Sequence, residues 1–248
     1  MLDANSIVGT ERTEKLCREI AQRSDGVCTL GFSRGKDSVA AFLWLRKFFK
    51  QIIPYHVASV PHLGIVDRSI AYYEDYFGVK IERFMCGECM ECLFNLYFQT
   101  PDREKEIDNL GVVIYSKQDL CELLRKKYNA PKAWNAFGIN ASDSIQRRVR
   151  IMATEGKNET NLSFYPCYDW SRKQIVGLIE QEGIRLCPDY RLANRSVAGI
   201  PSYRWFKNME ALFPDDYRKV LNMYPLAEAL LAKQYFRRQH FGVKAEAE

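Results

Sequence analysis

The segment Ser33-Arg34-Gly35-Lys36-Asp37-Ser38 constrains this chain more than any other. Ahead of it, residues 27–32 form a short apolar run of the kind that makes a buried strand. Residues 39–49 behind it are helix-compatible throughout, with no glycine or proline. The segment therefore joins a strand to a helix. The first backbone N–H groups of such a helix have no partner within it, and its dipole favours an anion there, so phosphate or pyrophosphate can bind. Gly35 lets the backbone approach closely, Lys36 brings a mobile positive charge, and Ser33 and Ser38 add hydroxyl donors. The plainer alternative is a Ser/Gly-rich turn that caps a helix, with Asp37 in its first turn.

Spacing narrows the choice of nucleotide loop. Lys36 is followed by Asp37, and Gly31 stands only four residues before Gly35, so G-x-x-x-x-G-K-[ST] is absent, as is G-x-G-x-x-G. Residues 33–38 resemble the S-G-G-x-D-S pyrophosphate loop of the PP-loop ATP pyrophosphatases, in the S-x-G-K-D-S form of the phosphoadenylyl sulfate (PAPS) reductase branch. Arg34 replaces the first glycine, which predicts ordinary backbone angles there and one more phosphate contact. Two further segments match in order. Residues 138–144 resemble G-x-R-x-x-E-S, with Gly138, Asp143 and Ser144 in place and Asn140 where the family has arginine. One anion contact is then lost, with Arg147 or Arg148 expected to compensate. Pro166-Cys167-Tyr168-Asp169-Trp170 is similar to the P-x-x-D-W element that precedes a helix, here 172–182, with Asp169 or Ser171 as its cap.

Together these motifs span residues 26–183, and the chain is most similar to short PAPS reductase-like members of bacteriophage type. The resemblance implies an α/β fold: a Rossmann-like (HUP-type), mostly parallel sheet flanked by helices, with a helical C-terminal region. It divides the chain into a PP-loop nucleotide-binding domain, 1–183, and a basic loop and helical extension packed on it, 184–248. It also implies ATP with Mg²⁺, split between the α and β phosphates to adenylate an acceptor. Catalytic roles then fall on Lys36, Asp37, Arg147 and Arg148. Nucleotide contacts fall on Ser33, Arg34, Gly35, Lys36, Asp37, Ser38, Ser59, Gly138, Asp143 and Ser144. The true reductases use a cysteine near the C-terminus in E-C-G-x-H, and no cysteine follows Cys187 here, which disfavours sulfonucleotide reduction. Sulfur transfer to a nucleic-acid or small-molecule acceptor, fed by a sulfur donor protein, is the reading that remains. Its rivals are a nucleotide-binding module without turnover and a protein that binds nucleic acid through the basic stretch 185–204.

Eight cysteines suggest free thiols or ligands rather than a disulfide framework. Cys86, Cys89 and Cys92 are spaced C-x-x-C-x-x-C, which suits a [4Fe-4S] cluster or Zn²⁺, with Cys167 or Cys187 as the fourth ligand. The alternative is a helix over 88–98 that buries two of the thiols.

The rest of the chain alternates in the same way. Helices are expected over 11–23, 65–77 and 117–128, and strands over 51–60, 79–84 and 133–139, which gives a right-handed βαβ start. Tyr72, Tyr73 and Tyr76 make an aromatic face that packs, His62 reads as a surface residue, and 125–127 as a solvated basic helix end. Helical runs are expected through Met209, over 217–223 and over 226–238. A net charge of +5 favours an anionic ligand without demonstrating nucleic-acid binding. No apolar run approaches membrane-spanning length and no leader pattern opens the chain, so a cytoplasmic protein is expected.

Overall fold

The computed structural model describes residues 9–111, 113–193 and 203–229, together with 232, 233 and 236. In chain order the elements are α1 (Glu11–Arg23), β1 (Val27–Gly31), α2 (Lys36–Leu45), β2 (Gln51–Ala58), α3 (Gly64–Phe77), β3 (Glu82–Met85) and α4 (Gly87–Phe94). There follow α5 (Glu104–Asp108), α6 (Lys117–Lys127), β4 (Trp134–Phe137), α7 (Ile145–Ala153), β5 (Lys157–Asn158) and β6 (Ser163–Phe164). The last are α8 (Arg172–Gln181), α9 (Asp189–Ala193), α10 (Tyr203–Leu212) and α11 (Pro214–Met223).

One six-stranded sheet has the order β3-β2-β1-β4-β6-β5. β1 runs parallel to β2 and β4, β4 parallel to β6, and β5 returns antiparallel at the edge. From β1 the chain builds outward first through β2 and β3, then on the other side through β4 and β6. The chain order therefore reverses at β1, and the crevice beyond the carboxyl ends of β1 and β4 is where open α/β sheets of this Rossmann-like type take ligands. α2 is buried on every face from Ser38 to Leu45, as an all-apolar helix covering a central strand must be. Phe42 stacks on Phe77 at 3.9 Å between ring centres, and Trp44 meets Trp170 edge-on at 5.1 Å. On the other side, Ile53, Tyr55, Leu120 and Leu124 form a second core cluster under α6.

Two compact units divide the chain. The first holds residues up to Val57, Ile70–Phe84 and Tyr115–Cys187; the second holds Ala58–Ser69, Met85–Ile114 and the described residues from Pro188 onward. The first carries the sheet save the last residues of β2 and β3. In the second, Asp216 on α11 accepts from the backbone N–H groups of Gly64 and Ile65 at 2.6 and 2.7 Å and so caps α3 with a buried carboxylate. There Trp205 Nε1 also donates to Asp189 at 3.0 Å, and Phe206 lies 4.7 Å from Tyr217. No helix among the described residues is long and apolar enough to cross a membrane. Of the basic stretch 185–204, residues 194–202 lie outside the described residues, as do parts of the run expected over 226–238.

Candidate functional site

β1 ends at Gly31, paired with Phe137 at the end of β4, so the two following loops leave the sheet side by side. The first, residues 33–38, turns into α2 with Gly35 as its N-cap at φ −77 and ψ 161, and no side chain caps that helix. The open first turn is the anion-receptive feature expected of it. Ser33 lies exposed, and its hydroxyl donates to Ser38 Oγ at 3.2 Å while accepting from the Gly35 N–H at 3.3 Å; Ser38 Oγ in turn donates to the Gly35 carbonyl at 2.9 Å. Lys36 Nζ reaches the neighbouring Asp37 carboxylate at 2.6 Å, both side chains about a quarter exposed. The loop thus gathers one cation, one carboxylate, two hydroxyls and the helix amides.

Arg34 departs from expectation. Its φ is +67, the left-handed conformation a glycine would adopt, and its side chain is buried at 1% exposure. The side chain turns into the protein rather than outward as one more phosphate contact. Its carbonyl accepts from Tyr73 OH at 3.4 Å, the same hydroxyl that reaches the Arg185 carbonyl at 3.1 Å. Buried His56 on β2 holds the loop from its other end: its Nδ1 lies 2.9 Å from the Phe32 carbonyl, which can only accept, so that nitrogen carries the proton. His56 was not legible as a site residue. A histidine in an otherwise apolar strand was the only signal.

The second loop follows β4. A Cβ on Gly138 would fall 2.5 Å from Ser38 N and 2.6 Å from Asp37 C, so the glycine lets one backbone lie against the first turn of α2. Asn140 is 3% exposed. Its side-chain oxygen accepts from Ser142 N at 2.8 Å, and its amide donates to the carbonyls of Cys167 and Trp170 at 3.3 and 2.5 Å. Where the motif resembled by residues 138–144 has an arginine, this chain has a structural tie between two loops. Asp143 ends the short turn after Asn140 and its side chain lies outside the described set. Ser144 caps α7 by accepting from Arg147 N at 3.2 Å, and Arg147 and Arg148 stand exposed on that helix. Of the two caps considered for α8, Ser171 is the one used, in a capping box with Gln174. Asp169 accepts from Thr10 Oγ1 instead, at 2.7 and 2.8 Å to its two oxygens.

The cysteines divide between the units. Cys167, in the unit of the loop, is buried, and its thiol is pushed well above its ordinary range by burial, then by the negative charge of Cys17, Asp37 and Asp169. Cys86, Cys89 and Cys92 lie in the other unit, where the Cys89 thiol donates to the Cys86 sulfur. That hydrogen bond, against the opposing effect of burial, lowers the Cys86 pKa to about 6. Cys89 moves up as the same pair resists a second negative charge. Its sulfur also accepts from Ser59, a residue expected at the nucleotide and here turned to a thiol. Among the described residues no three His, Cys, Asp or Glu side chains are grouped as a metal ion would require. Cys92 nonetheless interacts electrostatically with both Cys86 and Cys89, and all three thiols act on the Tyr224 hydroxyl.

No family model matches the chain, and no curated protein matches it. Among solved structures it is similar to the U34-tRNA thiolase NcsA from Methanococcus maripaludis with its [4Fe-4S] cluster, at 14% identity over 88% of this chain and 79% of that one, with a TM-score of 0.40. It is also similar to the NH3-dependent NAD synthetase from Campylobacter jejuni subsp. jejuni NCTC 11168 in complex with the nitrate ion, at 14% identity over 95% and 97% of the two chains, with a TM-score of 0.44. Likeness at this distance leaves the chemistry to be argued from the residues of this chain.

Proposed function

We propose that this chain is a PP-loop ATP pyrophosphatase-type enzyme of the PAPS reductase-like branch, which adenylates an acceptor and serves sulfur transfer to a nucleic-acid or small-molecule substrate. One observation carries the reading. The loop 33–38 enters the uncapped α2 at the point where strand order reverses, with Gly138 packed against its first turn.

In this proposal the amides of the first turn of α2 and the hydroxyls of Ser33 and Ser38 hold the β and γ phosphates. Lys36 leaves Asp37 for the phosphate oxygens, which frees the Asp37 carboxylate as the residue that would hold Mg²⁺, an ion that would supply charge to offset that of the departing pyrophosphate. An oxygen of the acceptor attacks the α-phosphorus, the bond from that phosphorus to the bridging oxygen breaks, and pyrophosphate leaves with the electron pair. Donors fixed before the reaction are worth most where charge develops, and the loop is fixed by His56 and Tyr73 from two elements of the fold. Arg147 and Arg148, exposed on α7 just beyond Gly138, are assigned to the phosphates of the acceptor or the α-phosphate. A sulfur donor protein completes the scheme. No step here runs through a metal cluster.

Calorimetry with ATP and Mg²⁺ tests the binding half. Lys36→Ala and Asp37→Ala are expected to remain folded and to bind ATP at least tenfold more weakly, about 1.4 kcal/mol. Unchanged affinity in both folded variants contradicts the proposal.

A further inference from the structure

Helix α7 lies almost wholly at the surface. Of its nine residues only Ile151 is buried, while Ile145, Val149 and Met152 are 80, 66 and 39% exposed. Their spacing, i, i+4 and i+7, sets the three in one stripe that leaves out Ile151 and runs about 10 Å along the helix. Ser144 caps the helix by accepting from Arg147 N at 3.2 Å, so the stripe is held in helical register before any partner arrives.

Arg148 stands three residues after Ile145 and four before Met152 and so flanks the stripe, and Arg147 and Arg150 are exposed on the rest of the helix. The helix carries no acidic residue. At the far end of the stripe, Met152 lines a cavity of about 350 Å³ beside buried Leu16, with exposed Arg12 and Lys15 of α1 around it. Its two acids are Glu19, bound by Lys157 at 2.6 Å, and Glu155.

Single exposed apolar side chains are ordinary, but three in line on one short helix mark a contact surface. Charge and shape decide what that surface takes. A second copy would set α7 against α7 and bring arginine against arginine, with no acid on either helix to offset them. Single-stranded nucleic acid binds on aromatic platforms, and α7 has no aromatic residue. Duplex phosphates would engage the arginines and leave the aliphatic stripe in water. A helix with apolar side chains at the same spacing and Asp or Glu beside them meets both features, because the two stripes interdigitate while the carboxylates face Arg148, Arg12 and Lys15.

We propose that Ile145, Val149 and Met152 form the docking stripe for an acidic amphipathic helix of a partner protein, with Arg148 beside the stripe and Arg12 and Lys15 beyond its end as the counter-charges. One apolar side chain of the partner enters the cavity next to Met152. The inference is independent of the nucleotide loop. Of the two arginines assigned above to phosphate, Arg147 points away from the stripe and Arg148 lies beside it, so a docked helix leaves Arg147 in place for that role.

The test is fluorescence anisotropy of the full chain with a labelled synthetic helical peptide that carries leucine at alternating three- and four-residue spacing and glutamate or alanine elsewhere. A peptide of the same composition in scrambled order, a single-stranded DNA oligonucleotide and a duplex one are the comparisons. Saturable binding of the amphipathic peptide is expected, about tenfold or more tighter than that of the scrambled one. Val149→Asp and Ile145→Asp alter exposed side chains, so far-UV circular dichroism should show them folded while each loses about tenfold or more in peptide affinity. Lys15→Glu is expected to weaken binding further as salt is lowered, the opposite of the native chain. The proposal is overturned if the amphipathic peptide fails to bind, if the scrambled peptide binds equally, or if Val149→Asp binds as the native chain does. It is also overturned if either oligonucleotide binds more tightly than the peptide and is lost in Val149→Asp, or if the chain is a dimer that Val149→Asp dissociates.

Discussion

Replacing Gly138 with alanine probes the contact on which the loop 33–38, proposed above to hold ATP, rests. The added Cβ would lie 2.5 Å from Ser38 N and 2.6 Å from Asp37 C and Ser38 Cα, where ordinary contact begins at 3.4 Å. All three neighbours are backbone of the first turn of α2, so no side chain can swing aside and the two segments must separate by about 1 Å. Overpacking of this kind costs about 1–3 kcal/mol of stability. The same displacement at a reacting centre costs on the order of a hundredfold in rate. Urea denaturation is expected to give a folded variant with a lowered midpoint and unchanged slope, and calorimetry an ATP affinity reduced at least tenfold. Gly78→Ala is the control: φ there is +66 with nothing within 4 Å, so it should lose about 1 kcal/mol from backbone strain and bind ATP normally. A Gly138→Ala protein with native stability and native ATP affinity would refute the reasoning.

Two other perturbations follow from the geometry. The Glu19 pKa is lowered chiefly by the hydrogen bond from Lys157 at 2.6 Å, so Lys157→Ala should lose up to about 1 kcal/mol at neutral pH. A depressed carboxyl stabilises above its unfolded pKa, so the gap between variant and native protein should close as the pH falls through the folded value, below the usual carboxylate range; a gap that persists in acid would count against this ion pair. Asn140→Arg installs the arginine of the motif that residues 138–144 resemble, yet the site is buried and three hydrogen bonds are lost, so it should destabilise by about 1–3 kcal/mol without tightening ATP binding, as denaturation and calorimetry can show.

Patterns with regular periods were legible in the sequence. α1 falls on residues 11–23 because apolar Leu16, Cys17 and Ile20 recur at helical spacing behind the Thr10 cap. The strand-loop-helix around Ser33 was legible for the same reason, and the aromatic face of α3 packs as its spacing suggested, with Tyr73 buried and Tyr72 under Arg185 at 4.9 Å. Departures trace to tertiary contacts or to strained backbone. Strand 79–84 shortens at its start because Ile81 N donates to Glu74 on α3 rather than to a neighbouring strand. The helix expected over 88–98 stops at Phe94, where Leu96 and Phe98 take φ of 57 and 58, a conformation neither residue type favours. α2 begins at Lys36 and ends at Leu45 as Lys47 and Phe48 turn back on Trp44 and Leu45. The hairpin of β5 and β6 has two residues per strand, too few for a period of two to register. Within the site, Gly138 was named from a motif, but its reason is a contact only the fold reveals. Arg34 reads in the sequence as a phosphate contact and Asn140 as the loss of one, and the fold buries both, because an anion motif carries no record of which side chains the fold covers.

The most direct measurement is the product formed from ATP. Asp37 follows Lys36 where a P-loop hydrolase has the serine or threonine that holds Mg²⁺ at the γ-phosphate. The account therefore predicts cleavage between the α and β phosphates. The full chain, incubated with Mg²⁺ and α-labelled ATP in the presence of candidate tRNA, DNA and small-molecule acceptors and resolved by chromatography, should yield AMP and pyrophosphate, with release dependent on an acceptor. ADP and phosphate as the sole products would contradict it.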